Sequence, residues 1–334
     1  MKRKLAAIVA LLALAAMPAF ASAQERVRIG IGYGLAFLPI YICQDQKLIE
    51  KYARELHVNV RVSYERFSSA AAVQQAIASG GIDMGPFGTV PLLEAWDKAK
   101  SAGDARGQIV AVSGLTTMPL ALLSNQPGVH TIADLRPSDR IAMPTRSAPQ
   151  MYILEMQSEK TFGSYDRLRR QVVALSPADA LAALIGGSGP VTAYFASAPF
   201  TQLALDDPKV HQVLSSEQVV GGKASFIVIG ATRGYVAARP KIAQAIDKAM
   251  DDAARVIHDD PIRAARIYLA HEPSKVLDAV RIAAVLKENR DEFGSAVEAT
   301  QAFADFLARH GELKTPPRSW KDIVAPALLN SPSS

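Results

Sequence analysis

Cysteine is nearly absent from the chain: Cys43 is the only one among 334 residues. No intramolecular disulfide can form, and a chain of this length buries enough core to stand without one. Cys43 lies on the apolar side of a helical pattern, in PIYICQDQKLIE, which marks it as a buried, inert thiol. Histidine is scattered rather than clustered. The six histidines stand at 57, 130, 211, 258, 271 and 310, with no H-x-x-x-H pair and no cysteine partners, so no metal site is expected. Positive charge is also in short supply. The chain carries +5, Lys2, Arg3 and Lys4 supply three of those charges, and from Gln24 onward the excess is +2. With no Lys/Arg-rich run interleaved with aromatics, nucleic acid is not an expected partner.

Motifs of catalysis are missing as well. GIGYGL at 30–35 lacks the last glycine of a dinucleotide fingerprint, and GPFGT at 85–89 lacks the lysine of a P-loop. GGSGP at 186–190 fails the nucleophile-elbow pattern at its final position. The adjacent carboxylates Asp206-Asp207, Asp251-Asp252 and Asp259-Asp260 read as solvated faces and helix caps. No catalytic residue and no cofactor is expected.

What is present begins with a leader. Lys2-Arg3-Lys4, an apolar run over Leu5–Met17 and Ala21-Ser22-Ala23 form the three regions of a cleavable export signal, with cleavage expected after Ala23. That run is shorter than the ~20 residues a spanning helix needs, and no later stretch reaches that length. The expected location is the periplasm. From Val27 to Phe226, short apolar strands alternate with helical patterns, and from Arg239 the chain is nearly all helical, ending in a frayed tail at 331–334. The alternation predicts the α/β class with mostly parallel sheets. The pattern shifts at LTTMP (115–119) and at VGGKAS (220–225). Two such breaks suit a two-lobe clamshell, with one lobe at 24–117 plus 226–330, the other at 118–225, and a cleft at the carboxyl ends of the strands. GGIDMGPFGTVPLLEAW (80–96) reads as a short strand at 82–84, a glycine turn and a helix opening near Thr89. Either the glycines permit close packing, or they leave backbone N–H groups free for a ligand.

The chain resembles the substrate-binding proteins of nitrate/sulfonate/taurine-type ABC importers. The likeness rests on VRIGIGYGLAFLPIYICQDQKLIEKY, FSSAAAVQQAIASGGIDMGPFGTVPLLEAW, VHTIADLRPSDRIAMP and ALSPADALAALIGG…YFASAPFTQLAL, in that order. The resemblance implies the clamshell, no catalysis, and a monomer that hands a small anionic solute or oxyanion to a membrane permease. Two stretches depart from the pattern. Ser197-Ala198-Pro199-Phe200 stands where members often have Trp-Glu-Pro-Phe, and Thr145 to Gln150 where they often have Gly-Ser-x-x-His. The lost acid argues against an amine-bearing ligand such as taurine. An exported enzyme and a ligand sensor on the same scaffold are the alternatives. The cysteine-rich motif of the thiamine-pyrimidine synthase that shares the fold cannot be supplied by one cysteine.

Ten residues are expected at the site. Gly88 and Thr89 would offer a helix N-terminus, with ordinary capping as the alternative; Thr117 lies at the first crossing. Arg146, Ser147 and Gln150 would repeat the arrangement in the second lobe, with Arg146 pairing an anionic head group or lying free at the surface. Tyr33 and Phe37 would wall the pocket, with the core as the alternative for Phe37. Ser197 ends a strand. Lys223 either contacts the solute or lies in a plain hinge turn.

Overall fold

The computed structural model describes residues 24–67, 70–187, 189–298 and 300–330, so the expected export signal and tail lie outside the described residues. Two five-stranded sheets organise the chain. The first contains β1 (Glu25–Ile31), β2 (Val60–Arg66), β3 (Met84–Gly88), β4 (Ile109–Thr116) and β10 (Ile227–Thr232), in the order β2-β1-β3-β10-β4. The second contains β5 (Ala121–Ser124), β6 (Arg140–Met143), β7 (Val172–Ala174), β8 (Val191–Ala196) and β9 (His211–Ser215), in the order β7-β6-β8-β5-β9. In each sheet four strands run one way and one runs against them: β10 is antiparallel to β3 and β4, and β5 to β8 and β9. These two are the strands that carry the chain into each sheet from the other. A strand that enters from the opposite side must run backwards, which alternation of strands and helices does not reveal.

β3 and β4 are buried along their whole length, as strands covered on both faces are. Helices supply the covers. Pro240–Asp259 turns Ile242, Ile246, Ala249, Met250, Ala253 and Ile257 inward at three- and four-residue spacing, an apolar stripe that packs on the first sheet. The helical spacing that runs over 37–52 forms two helices, Leu38–Gln46 and Leu48–Glu55, because Lys47 turns left-handed at φ 50°. Cys43 is fully buried, which pushes its thiol up from the ordinary range and leaves it inert. Asp252 binds Lys51, Tyr52 and Arg255, and Asp260 caps the Pro261–His271 helix, so those carboxylates serve structure.

The stretch at 80–96 folds differently from its reading. Residues 84–88 form the strand itself, not a turn after it. Gly85 admits a close neighbour: a Cβ there would lie 2.6 Å from Val73 Cγ1, so packing, not ligand access, requires this glycine. Gly88 ends the strand and is the N-cap of the Thr89–Ser101 helix.

Candidate functional site

The chain crosses between the sheets at 117–120 and 216–226. Both crossings are fastened by a third segment, residues 292–298, which sequence patterning did not single out. Thr116 pairs with Phe293 in a β-bridge, and Gly114 N donates to the Ser295 carbonyl at 2.6 Å. The Glu292 carboxylate accepts from Thr117 Oγ1 at 2.5 Å and from Lys223 Nζ at 2.8 Å, so one side chain ties the two crossings together. Ser225 exchanges hydrogen bonds with Glu298, and its carbonyl accepts the Thr89 hydroxyl. Thr117, Thr89 and Lys223 are therefore engaged in holding the crossings. Lys223 is charge-paired, and its ammonium is held above the ordinary lysine range: burial lowers it, and the neighbouring Glu292, through hydrogen bond and charge, raises it by more.

The gap between the sheets is faced by two helix N-termini. The Thr89–Ser101 helix starts at Gly88 and the Pro149–Phe162 helix at Ala148, and neither has a side-chain cap. Thr89 and Ser147 do not cap these helices: the first bonds Ser225, and the second pairs with Thr145 Oγ1 at 3.2 Å. The two termini abut, since a Cβ on Gly88 would come within 3.3 Å of Pro149 Cγ. Farther along, Tyr152 Oη approaches Glu94 Oε1 at 3.4 Å, and burial raises the Glu94 carboxyl above the usual range, partly offset by that contact. First-turn N–H groups lack partners within a helix and carry its positive dipole end, so this junction suits a negative group.

Gln150 sits in the first turn of the second helix at 3% exposure, and its Oε1 is buried with no hydrogen-bond partner among the described residues. An unpaired buried amide costs about 1–3 kcal/mol. Arg146 is exposed and makes one bond, from Nη2 to the Val172 carbonyl at 3.1 Å. Ser197 follows β8 and its carbonyl accepts from Phe200 N.

At the carboxyl ends of β1 and β2 lies a cluster that sequence reading missed, apart from Tyr33. Glu272, which follows the Pro261–His271 helix, accepts Gly34 N at 2.8 Å, Tyr268 Oη at 3.2 Å and the Tyr41 hydroxyl. Burial first, then Glu272, push the Tyr41 and Tyr268 hydroxyls far above the usual range, so both stay protonated donors. Arg66 approaches Glu272 at 3.7 Å and lies 5.2 Å from the Tyr33 ring and 5.1 Å from the Tyr41 ring. Tyr33 is 60% exposed, whereas Phe37 is in the core with its ring against Gly32. Arg66 and Glu272 are 206 residues apart in sequence, a pairing no local pattern could signal.

A cavity of about 420 Å³ lies beside the crossings, bounded by Pro119, Ala198, Thr201, Gln202, Gln212 and Asn289 among others. Thr201 Oγ1 and Gln202 Oε1 are buried without partners there, and Glu217 is the one charged residue of its lining. None of the ten expected residues lines it, although Ala198 follows Ser197 directly. Gln202 and Thr201 lie on a short helix, Phe200–Leu205, where polar residues carry no distinguishing signature. Among the described residues no group of three His, Cys, Asp or Glu side chains could hold a metal ion.

No protein-family model matches the chain, and no curated protein matches it. Solved structures do. The chain superposes on the alkanesulfonate-binding protein SsuA from Xanthomonas axonopodis pv. citri bound to MOPS with a TM-score of 0.66, at 20% identity over 92% of this chain and 99% of that one. The periplasmic aliphatic sulphonate-binding protein SsuA from Escherichia coli gives 0.68, at 20% identity over 90% and 99%. The periplasmic nitrate-binding protein NrtA from Synechocystis PCC 6803 gives 0.63, at 14% identity over 92% and 87%. At such identities the likeness speaks for the fold: this chain has the two-lobe α/β clamshell of the periplasmic binding proteins.

Proposed function

We propose that the protein is a periplasmic solute receptor that closes on a small anionic organic solute or oxyanion and delivers it to the membrane permease of an ABC importer, with no catalytic step. The observation that carries this reading is the junction of two uncapped helix N-termini beside the unpaired, buried amide of Gln150. The Gln150 Nε2–H groups can donate to an anionic head group, and a solute that also carries an N–H or O–H for Oε1 recovers what the free protein forgoes. In this reading the head group meets the first-turn N–H groups at Gly88 and Gln150, Arg146 and Ser147 close over it from the second lobe, and Tyr33 and Ser197 flank it. The body of the solute extends toward the amide-lined cavity. Thr89, Thr117 and Lys223 shape the site through the hinge, and Phe37 supports it from the core. The moving bodies are residues 24–117 with 226–330, and 118–225. The sulfonate- and nitrate-binding neighbours support this choice of solute class.

A thermal-shift panel of ethanesulfonate, taurine, MOPS, nitrate and aromatic carboxylates tests it, with choline and glucose as cationic and neutral controls. A ligand at a hundredfold excess over Kd adds about 2.7 kcal/mol of stability. At least one anion is expected to raise Tm, and the radius of gyration by X-ray scattering is expected to fall at saturation. Hits confined to the controls would sink the anion reading.

A further inference from the structure

The second cavity of about 420 Å³ lies at the opposite end of the first sheet, where β4 begins and β10 ends, away from the crossings. Its walls carry Lys100, Arg233, Arg318 and Lys321, with Asp322 as the only carboxylate. None of these four cations takes part in an ion pair among the described residues. The nearby Asp97 is buried and already accepts Lys314 N, Thr315 N and Thr315 Oγ1, and the Asp322 carboxylate accepts the backbone N–H of Arg318.

The floor of the cavity is built rather than loose. Arg233 donates from Nε to Gln108 Oε1 at 3.0 Å and from Nη2 to the Asp322 carbonyl at 2.6 Å, which fixes the guanidinium plane and leaves its remaining N–H groups unused. Trp96 Nε1 donates to the same carbonyl at 3.2 Å, and Lys100 Nζ lies 4.3 Å from the Trp96 ring. An excess of three positive charges around a concave, partly apolar wall focuses a positive potential. Fixed guanidinium donors of this kind favour oxygen-rich anions.

We propose that this cavity is a second ligand site, one that takes a compact polyanion of phosphate or polycarboxylate chemistry. It stands apart from the solute gap and does not depend on the function proposed for it.

The two tryptophans of the chain, Trp96 and Trp320, both belong to this end of the molecule: Trp96 lines the cavity, and Trp320 lies 6.0 Å from Lys321 Nζ. Intrinsic tryptophan fluorescence therefore reads this site directly. Sodium pyrophosphate and trisodium citrate are titrated in parallel, with ionic strength held constant by sodium chloride. A saturable change with at least one of them is expected. The exposed double variant Arg318→Gln, Lys321→Gln should raise its Kd roughly tenfold or more, about one charge-assisted contact. The variant Gln150→Leu, in the solute gap, should titrate like the wild type. No saturable response to either anion, a response reproduced by sodium chloride alone, or an unchanged Kd in the double variant overturns the proposal.

Discussion

The two sides of the gap between the sheets differ in how far they are committed. On the first sheet's side the polar groups are taken. Gly34 N and Tyr41 Oη end on Glu272, Thr89 Oγ1 on Ser225, and Thr117 and Lys223 on Glu292. On the second sheet's side they are largely unspent among the described residues: Arg146 makes one bond, Ser147 pairs only with Thr145, and Gln150 Oε1 is buried without a partner. One wall is preorganised by the C-terminal segment, and the other waits for a partner. Preorganisation lowers the entropy lost on binding, while unspent polar groups supply the difference in energy between empty and filled states. A receptor that has to close on its solute needs both.

The sharpest way to break this contrast is to disturb the strap itself. A Cβ on Gly114 would lie 2.0 Å from the Ala296 carbonyl oxygen, a backbone atom that cannot rotate away. Gly114→Ala should lower stability by about 3 kcal/mol, the upper range for overpacking, and Tm by several degrees. Gly88→Ala is the comparison. Its φ of −68° suits any residue, and its neighbour is the Pro149 ring at 3.3 Å across the gap. Differential scanning calorimetry should show a loss below about 1 kcal/mol. Equal losses would mean that the strap is no more rigid than the gap.

Next in size is the removal of Glu272. Glu272→Ala deprives Gly34 N and Tyr268 of their acceptor and Arg66 of its carboxylate, and leaves Tyr41 only the Gly32 carbonyl. A loss of about 2 kcal/mol is expected, with faster hydrogen exchange at the Gly34 amide. Unchanged exchange at Gly34 would show that the turn after β1 is held by the chain alone.

The third prediction uses pH to loosen the C-terminal anchor without mutation. Burial pushes the Asp97 carboxyl up, but hydrogen bonds from Lys314 N, Thr315 N and Thr315 Oγ1 outweigh it and hold the group below the ordinary aspartate range. A carboxyl lowered in the folded state stabilises above its unfolded value of ~3.9, and that contribution is lost as pH falls through the folded value. Urea unfolding from pH 6 to pH 3 should therefore show stability falling at the acid end. The fall should be shallower in Asp97→Asn, by about 1 kcal/mol for the bonds to the charged form. Parallel acid limbs in the two proteins would remove Asp97 from this role.

Much of the architecture was legible because it rests on local pattern. The strand–helix alternation, the two breaks near 117 and 223 and the helix starting after Gly88 all announce themselves within a few residues. What escaped is what long-range contacts decide. The reversed direction of β5 and β10 follows from the crossings, and the strand at Met84–Gly88 is set by pairing with β10, which overrides its glycines and proline. The proposed site divides in the same way. Gly88 and Gln150 belong to helix starts that a sequence window reveals. Arg66 with Glu272, and Glu292 with both crossings, join residues far apart in sequence. Lys223 looked available in its Gly-Gly-Lys turn because its carboxylate partner lies 69 residues downstream.

The smallest expected effect on the free protein is also the one with inverted sign. Gln150→Leu exchanges an unpaired, buried amide for an apolar side chain of similar size. Elsewhere the loss of a buried polar residue strands its partner, but Gln150 Oε1 has no partner to strand among the described residues. Removing an unsatisfied amide relieves a desolvation cost, so the ligand-free variant should be more stable than the wild type by about 1 kcal/mol. If the amide serves the solute, the same change should weaken binding of the best anion from the thermal panel by roughly tenfold, since a lost hydrogen bond to a charged group is worth about 1.5–3 kcal/mol. Urea unfolding of the free protein and titration calorimetry with that anion separate the two effects. Higher stability with unchanged affinity would make Gln150 a packing residue and move the head group elsewhere along the gap. Lower stability would mean that the amide is already paired, by water within the gap, and the contrast between a committed wall and an uncommitted one would narrow accordingly.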